Sequence, residues 1–175
     1  SSPPRSDVLP IAVGSGVAHY FGVGGYRRPL SDVRAAGVRF AAECLAFSIP
    51  PSDTAIEAEF GSVNVAGHHP RWKAAVPRDN GASWDFEDVR DHYVRTIFGV
   101  DPAEVRWADP ARYLALGRAA ICEALTEALQ YWRRSGSGCR GALILSARDL
   151  QPGAGWGVLD ADGNPKAPWW VLARR

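Results

Sequence analysis

The sequence predicts an α/β fold of parallel strands covered by helices, and its length suits part of a (β/α)8 barrel of the TIM type. A strand, a short helix and a second strand are predicted in residues 16–47, and such a unit implies parallel strands joined by a crossover. Two amphipathic helices and a third apolar strand follow in residues 86–150. A complete barrel usually needs about 250 residues. The 175 residues are therefore expected to form a single domain, 1–175, that holds part of such a barrel.

The first strand is predicted over residues 16–25, GVAHYFGVGG, where aromatic and β-branched residues stand between glycines. A short helix is predicted within residues 27–37, because Pro29 suits a helix start and Gly37 suits a helix end. The second strand, GVRFAAE, covers residues 37–43. Together these three elements form the predicted parallel unit.

Side chains alternate along the second strand, so two sets of residues face opposite ways. We expect Val38, Phe40 and Ala42 to face the covering helices, and Arg39, Ala41 and Glu43 to face the interior of the sheet or barrel. Glu43 ends the strand, at the edge where parallel α/β folds carry their chemistry. On the pattern alone, a strand-end acid that reaches solvent is the simpler interpretation.

Residues 48–84 are rich in proline and glycine and are predicted to be irregular, apart from a short helix at residues 54–60. Loops this long inside a compact domain are usually either functional or disordered. His68 and His69 are adjacent and have no evident third ligand, so they predict a loop pair rather than a metal site. We expect neither a metal nor a cofactor.

Two helices have clear end signals. Asp85 can cap a helix over residues 86–98, and Gly99 can close it. A longer helix is predicted over residues 109–134, with leucines and isoleucine at helical spacing. Cys122 falls in that apolar pattern and is interpreted as a small core residue, not a nucleophile.

The third strand is predicted over residues 141–150, GALILSARDL, and a turn is predicted at DADGNP, residues 160–165. Tryptophans concentrate after this strand, at Trp156, Trp169 and Trp170. Aromatic faces suit the apolar patches of sugar rings, but tryptophans are at least as often core residues. The tryptophans alone therefore do not distinguish a sugar-binding site from a hydrophobic core.

Composition and charge exclude several classes of protein. Twenty basic and nineteen acidic side chains give a net charge of +1, without the basic excess of a nucleic-acid binder or a membrane-surface protein. No apolar run approaches the roughly 20 residues that cross a bilayer, and residues 1–10 are predicted to be a loop without the core of a secretory signal. Three cysteines without CxxC spacing predict a reducing compartment, so we expect a cytoplasmic protein.

Three segments in order, residues 16–47, 68–94 and 141–170, resemble the last strands of the catalytic barrel of β-mannosidases in glycoside hydrolase family 2. In that family the nucleophile usually lies in a Ser-Glu pair at a strand end, and Ala42-Glu43 occupies that place here. The resemblance implies that Glu43 is the catalytic nucleophile. It also implies that the chain is the C-terminal part of a glycosidase barrel.

The chemistry implied by the resemblance needs two carboxyl groups about 5–5.5 Å apart, one ionised to attack the anomeric carbon and one protonated to release the leaving group. Arg39 or Tyr20, and next His19, are the expected neighbours that keep Glu43 ionised. The other expected substrate-binding residues are Trp72, Trp84, Asp149 and Trp156. The family's Asn-Glu acid/base pair is missing from this chain, so the isolated chain is expected to be inactive.

The expected partner is a β-linked mannoside or oligosaccharide, with no nucleic acid and no membrane. Exposed strand edges also predict a homodimer, or association with a missing N-terminal part of the same enzyme. Where the family's last strand reads Trp-Gln-Leu-Asn-Asp before Leu or Ile, Trp and Pro, residues 145–152 read LSARDLQP. A non-catalytic carbohydrate-binding remnant, or another family 2 activity such as β-galactosidase or β-glucuronidase, stays open as an alternative.

Overall fold

The computed structural model describes residues 13–14 and 16–174. The predicted loop at residues 1–10 lies outside the described residues. The described chain divides into two compact units. Unit 1 contains the described residues up to Ala46 together with residues 124–145, and unit 2 contains residues 47–123 together with the described residues from Ser146 onward. The single domain expected from the sequence stays a prediction.

Unit 1 is built on a sheet of three parallel strands in the order β1-β2-β3. The strands are β1 (Val17–Tyr20), β2 (Phe40–Cys44) and β3 (Ala142–Ile144). The prediction of parallel strands is confirmed, and the fold is a mixed α/β arrangement with a small sheet. Because β2 lies between the other two strands, its carboxyl end is flanked on both sides by strand ends.

All three strands are shorter than predicted. The first strand stops at Tyr20 because residues 21–26 fold into a turn closed by the bond from the Tyr26 N–H to the Phe21 carbonyl. Gly24 lies in this turn at φ +105°, a conformation that favours glycine. The third strand stops at Ile144. The described pairings after it are isolated bridges, which join Leu159 to Arg148 and to Pro165.

Burial along β2 does not follow a strict alternation. Ala41, predicted to face the interior together with Glu43, is completely buried, whereas Glu43 is partly exposed. Register shifts interrupt the pairing of β1 with β2 after Ala18 and the pairing of β2 with β3 after Ala41. A register irregularity changes which face a side chain occupies, so strict period-two reasoning fails at these points.

Two helices contribute to the part of unit 1 that the structure describes. Helix α1 (Asp32–Ala35) is the predicted short helix between β1 and β2. Helix α6 (Pro110–Arg133) is the predicted long helix, and its residues from 124 onward belong to unit 1. The Tyr20 ring packs edge-on against Trp132 of α6, with ring centroids 5.4 Å apart. This contact joins the sheet to the helix.

Unit 2 is mainly helical. Its helices are α2 (Asp53–Phe60), a 3₁₀ helix (Val63–Ala66), α3 (Pro70–Ala75), α4 (Phe86–Phe98), α5 (Pro102–Ala108), the first part of α6, and α7 (Ala167–Ala173). The prediction that residues 48–84 are irregular apart from a helix at 54–60 is thus wrong at the 3₁₀ helix and at α3. Ser52, Ser62 and His69 each accept a backbone N–H at the start of one of these short helices, which stabilises helices too short to stand alone.

Helix α4 confirms its predicted bounds. Asp85 accepts the N–H groups of Glu87 and Asp88, and Asp88 accepts the Asp85 N–H, which completes a capping box. Gly99 ends the helix in the left-handed conformation at φ +65°. Each end is therefore set by local chemistry that the sequence already contains.

The predicted turn at residues 160–165 is present in unit 2. Asp160 accepts the backbone N–H groups of Asp162 and Asn164, and the Asp160 N–H bonds to the Asn164 carbonyl. An aspartate that accepts local N–H groups in this way is a common turn device. Among the described residues, no helix combines the length and apolar character needed to cross a membrane.

Candidate active site

Glu43 lies near the carboxyl end of β2, the middle strand of the sheet in unit 1. It stands opposite His19 of β1 in the strand register, and His19 Nδ1 is 3.3 Å from Glu43 Oε2. The two side chains are 51% and 40% exposed, so the pair is reachable from solvent. A carboxylate with an imidazole neighbour and an open side is suited to react with a small molecule.

Of the three expected neighbours of Glu43, His19 is the one that the structure places beside it. Tyr20 is buried, and its hydroxyl donates to Asp32 Oδ2 at 2.8 Å. Tyr20 therefore orders α1 rather than Glu43. The alternation of side chains explains the difference, since adjacent residues of a strand point to opposite faces.

Arg39 is also placed away from Glu43. It precedes β2, and four steps along an extended chain separate its Cα atom from that of Glu43 by about 13 Å. Its guanidinium lies beside Gly138, where an added Cβ would come within 2.9 Å of Arg39 Nη1. The expectation that Arg39 keeps Glu43 ionised is therefore wrong, because the two residues occupy opposite ends of the strand.

The thiol next to Glu43 does not compete with it as a nucleophile. Cys44 is completely buried, and burial raises the pKa of its thiol to about 12. Only the thiolate is a strong nucleophile. Burial likewise raises the pKa of Cys122, in unit 2, to about 11, in line with its interpretation as an unreactive residue.

Asp149, in unit 2, forms a buried ion pair with Lys166. Its Oδ1 accepts the Gly157 N–H at 2.6 Å, and Lys166 Nζ also donates to the Ile49 carbonyl at 2.8 Å. Burial raises the pKa of Asp149 and lowers that of Lys166. Both carboxylate oxygens are engaged by the protein, so the placement corrects the expectation that Asp149 contacts substrate.

Trp84 and Trp156 remain half-exposed in unit 2, on either side of Phe86. The Trp84 and Phe86 ring centroids are 5.5 Å apart, and those of Phe86 and Trp156 are 5.2 Å apart, both in edge-on geometry. The indole N–H of Trp156 is buried and has no hydrogen-bond partner among the described residues. Part of each indole surface is open to a ligand, as stacking on a sugar requires.

Trp72, the remaining expected substrate contact, lies in the core of unit 2 with 0% exposure. Its indole N–H donates to Glu87 Oε1 at 2.7 Å, and its ring packs edge-on against Phe60. A completely buried ring has no face left for a sugar. The expectation that Trp72 stacks on substrate is therefore wrong.

Glu87 is the centre of a buried ionic cluster that the sequence reasoning missed. Its carboxylate contacts Lys73 Nζ at 2.9 Å, Arg90 Nη2 at 3.0 Å and Arg106 Nη1 at 3.0 Å. These three cations outweigh the opposing effect of burial and hold the pKa of Glu87 well below its usual range. The helical spacing of Glu87, Arg90 and Val94 on the buried face of α4 was the available signal.

The buried ionic cluster excludes Glu87 from the role of general acid. A group of that kind must be protonated near neutral pH and must reach the leaving group. Glu87 is 0% exposed and stays ionised. Glu57 and Glu59 lie on exposed positions of α2, and Glu59 pairs with Arg71.

The described part of the chain contains no group of three His, Cys, Asp or Glu residues that could hold a metal ion. In that part, His69 Nδ1 accepts the Arg71 N–H, so this histidine serves as a helix cap in unit 2. His68 packs against Trp107, with ring centroids 6.1 Å apart. The two histidines therefore have separate structural neighbours.

No protein-family model and no curated protein sequence matches the chain. Among solved structures, the fold is similar to that of a β-D-mannosidase from Dictyoglomus thermophilum, with a TM-score of 0.74 over 98% of this chain and 19% sequence identity. The chain spans 20% of the length of that protein. At this identity the likeness shows the fold alone, which is similar to that of part of the mannosidase.

Proposed function

We propose that this chain is the C-terminal part of the catalytic barrel of a retaining β-mannosidase-type glycoside hydrolase, with Glu43 as the nucleophile. The observation that carries the proposal is the position of Glu43 near the carboxyl end of the central parallel strand, paired with His19 and open to solvent. Parallel α/β folds concentrate catalytic groups at that edge. The similarity of the fold to part of a β-D-mannosidase supports the same assignment.

In the proposed mechanism a Glu43 oxygen attacks the anomeric carbon of a β-mannoside. The glycosidic C–O bond breaks, its electron pair leaves with the aglycone oxygen, and a glycosyl ester of Glu43 forms. Water then hydrolyses the ester and restores the carboxylate. His19 is the proposed positioning residue, because its Nδ1 contact limits the orientations of the carboxylate.

The proton for the leaving group is proposed to come from a carboxyl group outside these 175 residues. Glu87 is excluded by burial and charge, and the similar mannosidase is about five times as long as this chain. Trp84 and Trp156 are retained as proposed sugar contacts, since each keeps part of its ring exposed. The partner in this proposal is the remainder of the enzyme.

The second candidate is a carbohydrate-binding remnant without hydrolysis. It is favoured by two placements: Trp84 and Trp156 offer ring surface in unit 2, whereas Asp149 is occupied by Lys166. Under this alternative the chain binds sugar through its aromatic residues, and Glu43 forms no covalent bond. A single covalent-trapping experiment separates the two candidates.

The experiment uses substrates whose leaving groups depart without protonation, so that a missing acid does not prevent the first step. The chain is incubated with 2-deoxy-2-fluoro-β-mannosyl fluoride and examined by intact-protein and peptide mass spectrometry. The fluorine at C2 destabilises the positively charged transition states, so the glycosyl ester accumulates. We expect one adduct, located on Glu43.

Two variants provide matched controls. Glu43→Gln should give no adduct, whereas Glu57→Gln, the same change on the exposed face of α2, should be labelled like the unmodified chain. Corresponding galactosyl and glucuronyl fluorides test the other family 2 activities. Sugar binding without any adduct would favour the carbohydrate-binding candidate, and an adduct at a residue other than Glu43 would overturn the nucleophile assignment.

A further inference from the structure

Unit 1 has an excess of positive charge that the whole chain does not show. Its described residues include seven arginines and three carboxylates, whereas the complete chain has a net charge of only +1. Each carboxylate is already paired within the unit. Asp32 contacts Arg28, Glu127 contacts Arg34, and Glu43 contacts His19.

Four arginines of unit 1 have no carboxylate partner among the described residues, and they line two cavities that share Trp132 and Ser137. This arginine cluster consists of Arg39, Arg133, Arg134 and Arg140. The Arg140 N–H donates to the Arg39 carbonyl at 2.7 Å, which joins the chain segments that enter β2 and β3. Arg133 and Arg134 follow at the end of α6.

The arginine cluster lines two half-open cavities that are next to each other. Arg133, Arg134 and Arg140 line a cavity of about 450 Å³, and Arg39 lines a cavity of about 360 Å³. Both cavities share Trp132 and Ser137. Volumes of this size are typical of small-molecule sites.

Two uncharged hydrogen-bond donors also belong to residues that line these cavities. The Ser137 hydroxyl oxygen accepts the Cys139 N–H at 3.1 Å, so the hydroxyl hydrogen remains able to donate. The indole N–H of Trp132 is buried and has no hydrogen-bond partner among the described residues. A buried donor without a partner calls for a water molecule or an anion nearby.

We propose that the arginine cluster binds the phosphate group of a small phosphate monoester. Guanidinium groups match phosphate oxygens in bidentate geometry, and several of them together favour a dianion. The end of α6 contributes roughly half a negative charge, which four guanidinium groups outweigh. The near-neutral charge of the whole chain and the concave shape favour a small ligand over an extended nucleic acid.

The proposed phosphate site lies at the opposite strand ends from Glu43. Arg39 and Arg140 precede β2 and β3, whereas Glu43 and His19 lie near the carboxyl ends of their strands. The strand rise separates the two edges by about 13 Å. The site is thus an accessory site of unit 1, and its existence does not depend on the proposed hydrolase activity.

The test is isothermal titration of the purified chain with phenyl phosphate at pH 8, where the monoester is a dianion. Benzyl alcohol serves as the ligand that keeps the ring and lacks the phosphate. We expect saturable binding of phenyl phosphate only. Arg133→Gln and Arg140→Gln should each weaken it about tenfold, the effect of losing one hydrogen bond to a charged group.

Arg112→Gln removes one positive charge from an exposed position in unit 2 and should change the affinity less than twofold. Arg140→Lys keeps the positive charge but lacks the planar guanidinium that can bind two phosphate oxygens at once. A partial loss of affinity for phenyl phosphate is therefore expected. Circular dichroism confirms that each variant is folded. Glu43→Gln should bind phenyl phosphate normally, so failure of this proposal is distinguishable from failure of the nucleophile assignment.

Three results would overturn the proposal. The first is the absence of saturable binding by the unmodified chain. The second is equal weakening by Arg112→Gln, which would reveal attraction by net charge alone. The third is tighter binding of an oligothymidylate than of phenyl phosphate, because that result would identify a nucleic-acid surface instead of a small-molecule site.

Discussion

Replacing Glu87 by glutamine tests whether the buried ionic cluster stabilises unit 2. The substitution keeps the size of the side chain and removes the negative charge that Lys73, Arg90 and Arg106 share at 2.9 to 3.0 Å. A unit charge at about 3 Å attracts each cation by roughly 5 kcal/mol at an effective dielectric constant of 20. Desolvation cancels much of this attraction.

The expected net loss is about 3–5 kcal/mol, the usual cost of breaking a buried pair from one side. Such a loss is large beside a total free energy of unfolding of about 5–15 kcal/mol. With an m-value of about 2 kcal/mol/M, the urea midpoint should fall by about 1.5–2.5 M. Tryptophan fluorescence reports the transition directly, because the Trp72 indole N–H contacts Glu87.

The matched control is Glu57→Gln on the exposed face of α2, which should change the free energy of unfolding by less than about 0.5 kcal/mol. A loss below about 1 kcal/mol in Glu87→Gln would refute the reasoning. It would mean that the three cations repel one another too little, or are hydrated too well, for the carboxylate to matter.

The difference in free energy of unfolding between the unmodified chain and Glu87→Gln has a defined pH dependence. The folded-state pKa of Glu87 lies below its ordinary value of 4.5, so its stabilisation is fully present above pH 4.5 and is lost as the pH falls toward the folded value. The stability difference between the unmodified chain and Glu87→Gln should therefore be constant near neutral pH. Below pH 4.5 it should shrink by up to about 1.4 kcal/mol per pH unit. A difference that grows in acid would contradict the assignment.

Two further substitutions test other parts of the fold. Lys166→Met leaves Asp149 buried without its cation and removes the donor to the Ile49 carbonyl, so urea unfolding should show a loss of about 3–5 kcal/mol. An unchanged midpoint would refute that expectation. Gly24→Ala forces alanine into φ +105° and places its Cβ 3.0 Å from the Ala46 carbonyl oxygen, so thermal unfolding should reveal a loss of about 1–3 kcal/mol. A variant as stable as the unmodified chain would show that the turn adjusts freely.

Elements with local signals were predictable from the sequence. Helix α4 begins after Asp85 and ends at Gly99, as its capping residues indicate. Helix α5 was missed although Asp101 and Pro102 provide the same kind of start signal. The proline- and glycine-rich composition of residues 48–84 concealed short helices, since their stability depends on capping and on packing around Trp72.

The sequence by itself determined the α/β class, the parallel unit and the position of Glu43 near a strand end, because periodicity, capping and the order of elements along the chain are properties of the sequence. The tertiary structure decided which residues surround that carboxylate. It placed His19 beside Glu43 and turned Arg39 toward Gly138. It also buried Glu87 among three cations from separate segments. Side-chain partners depend on register shifts and long-range packing, which a single sequence does not encode in any local pattern.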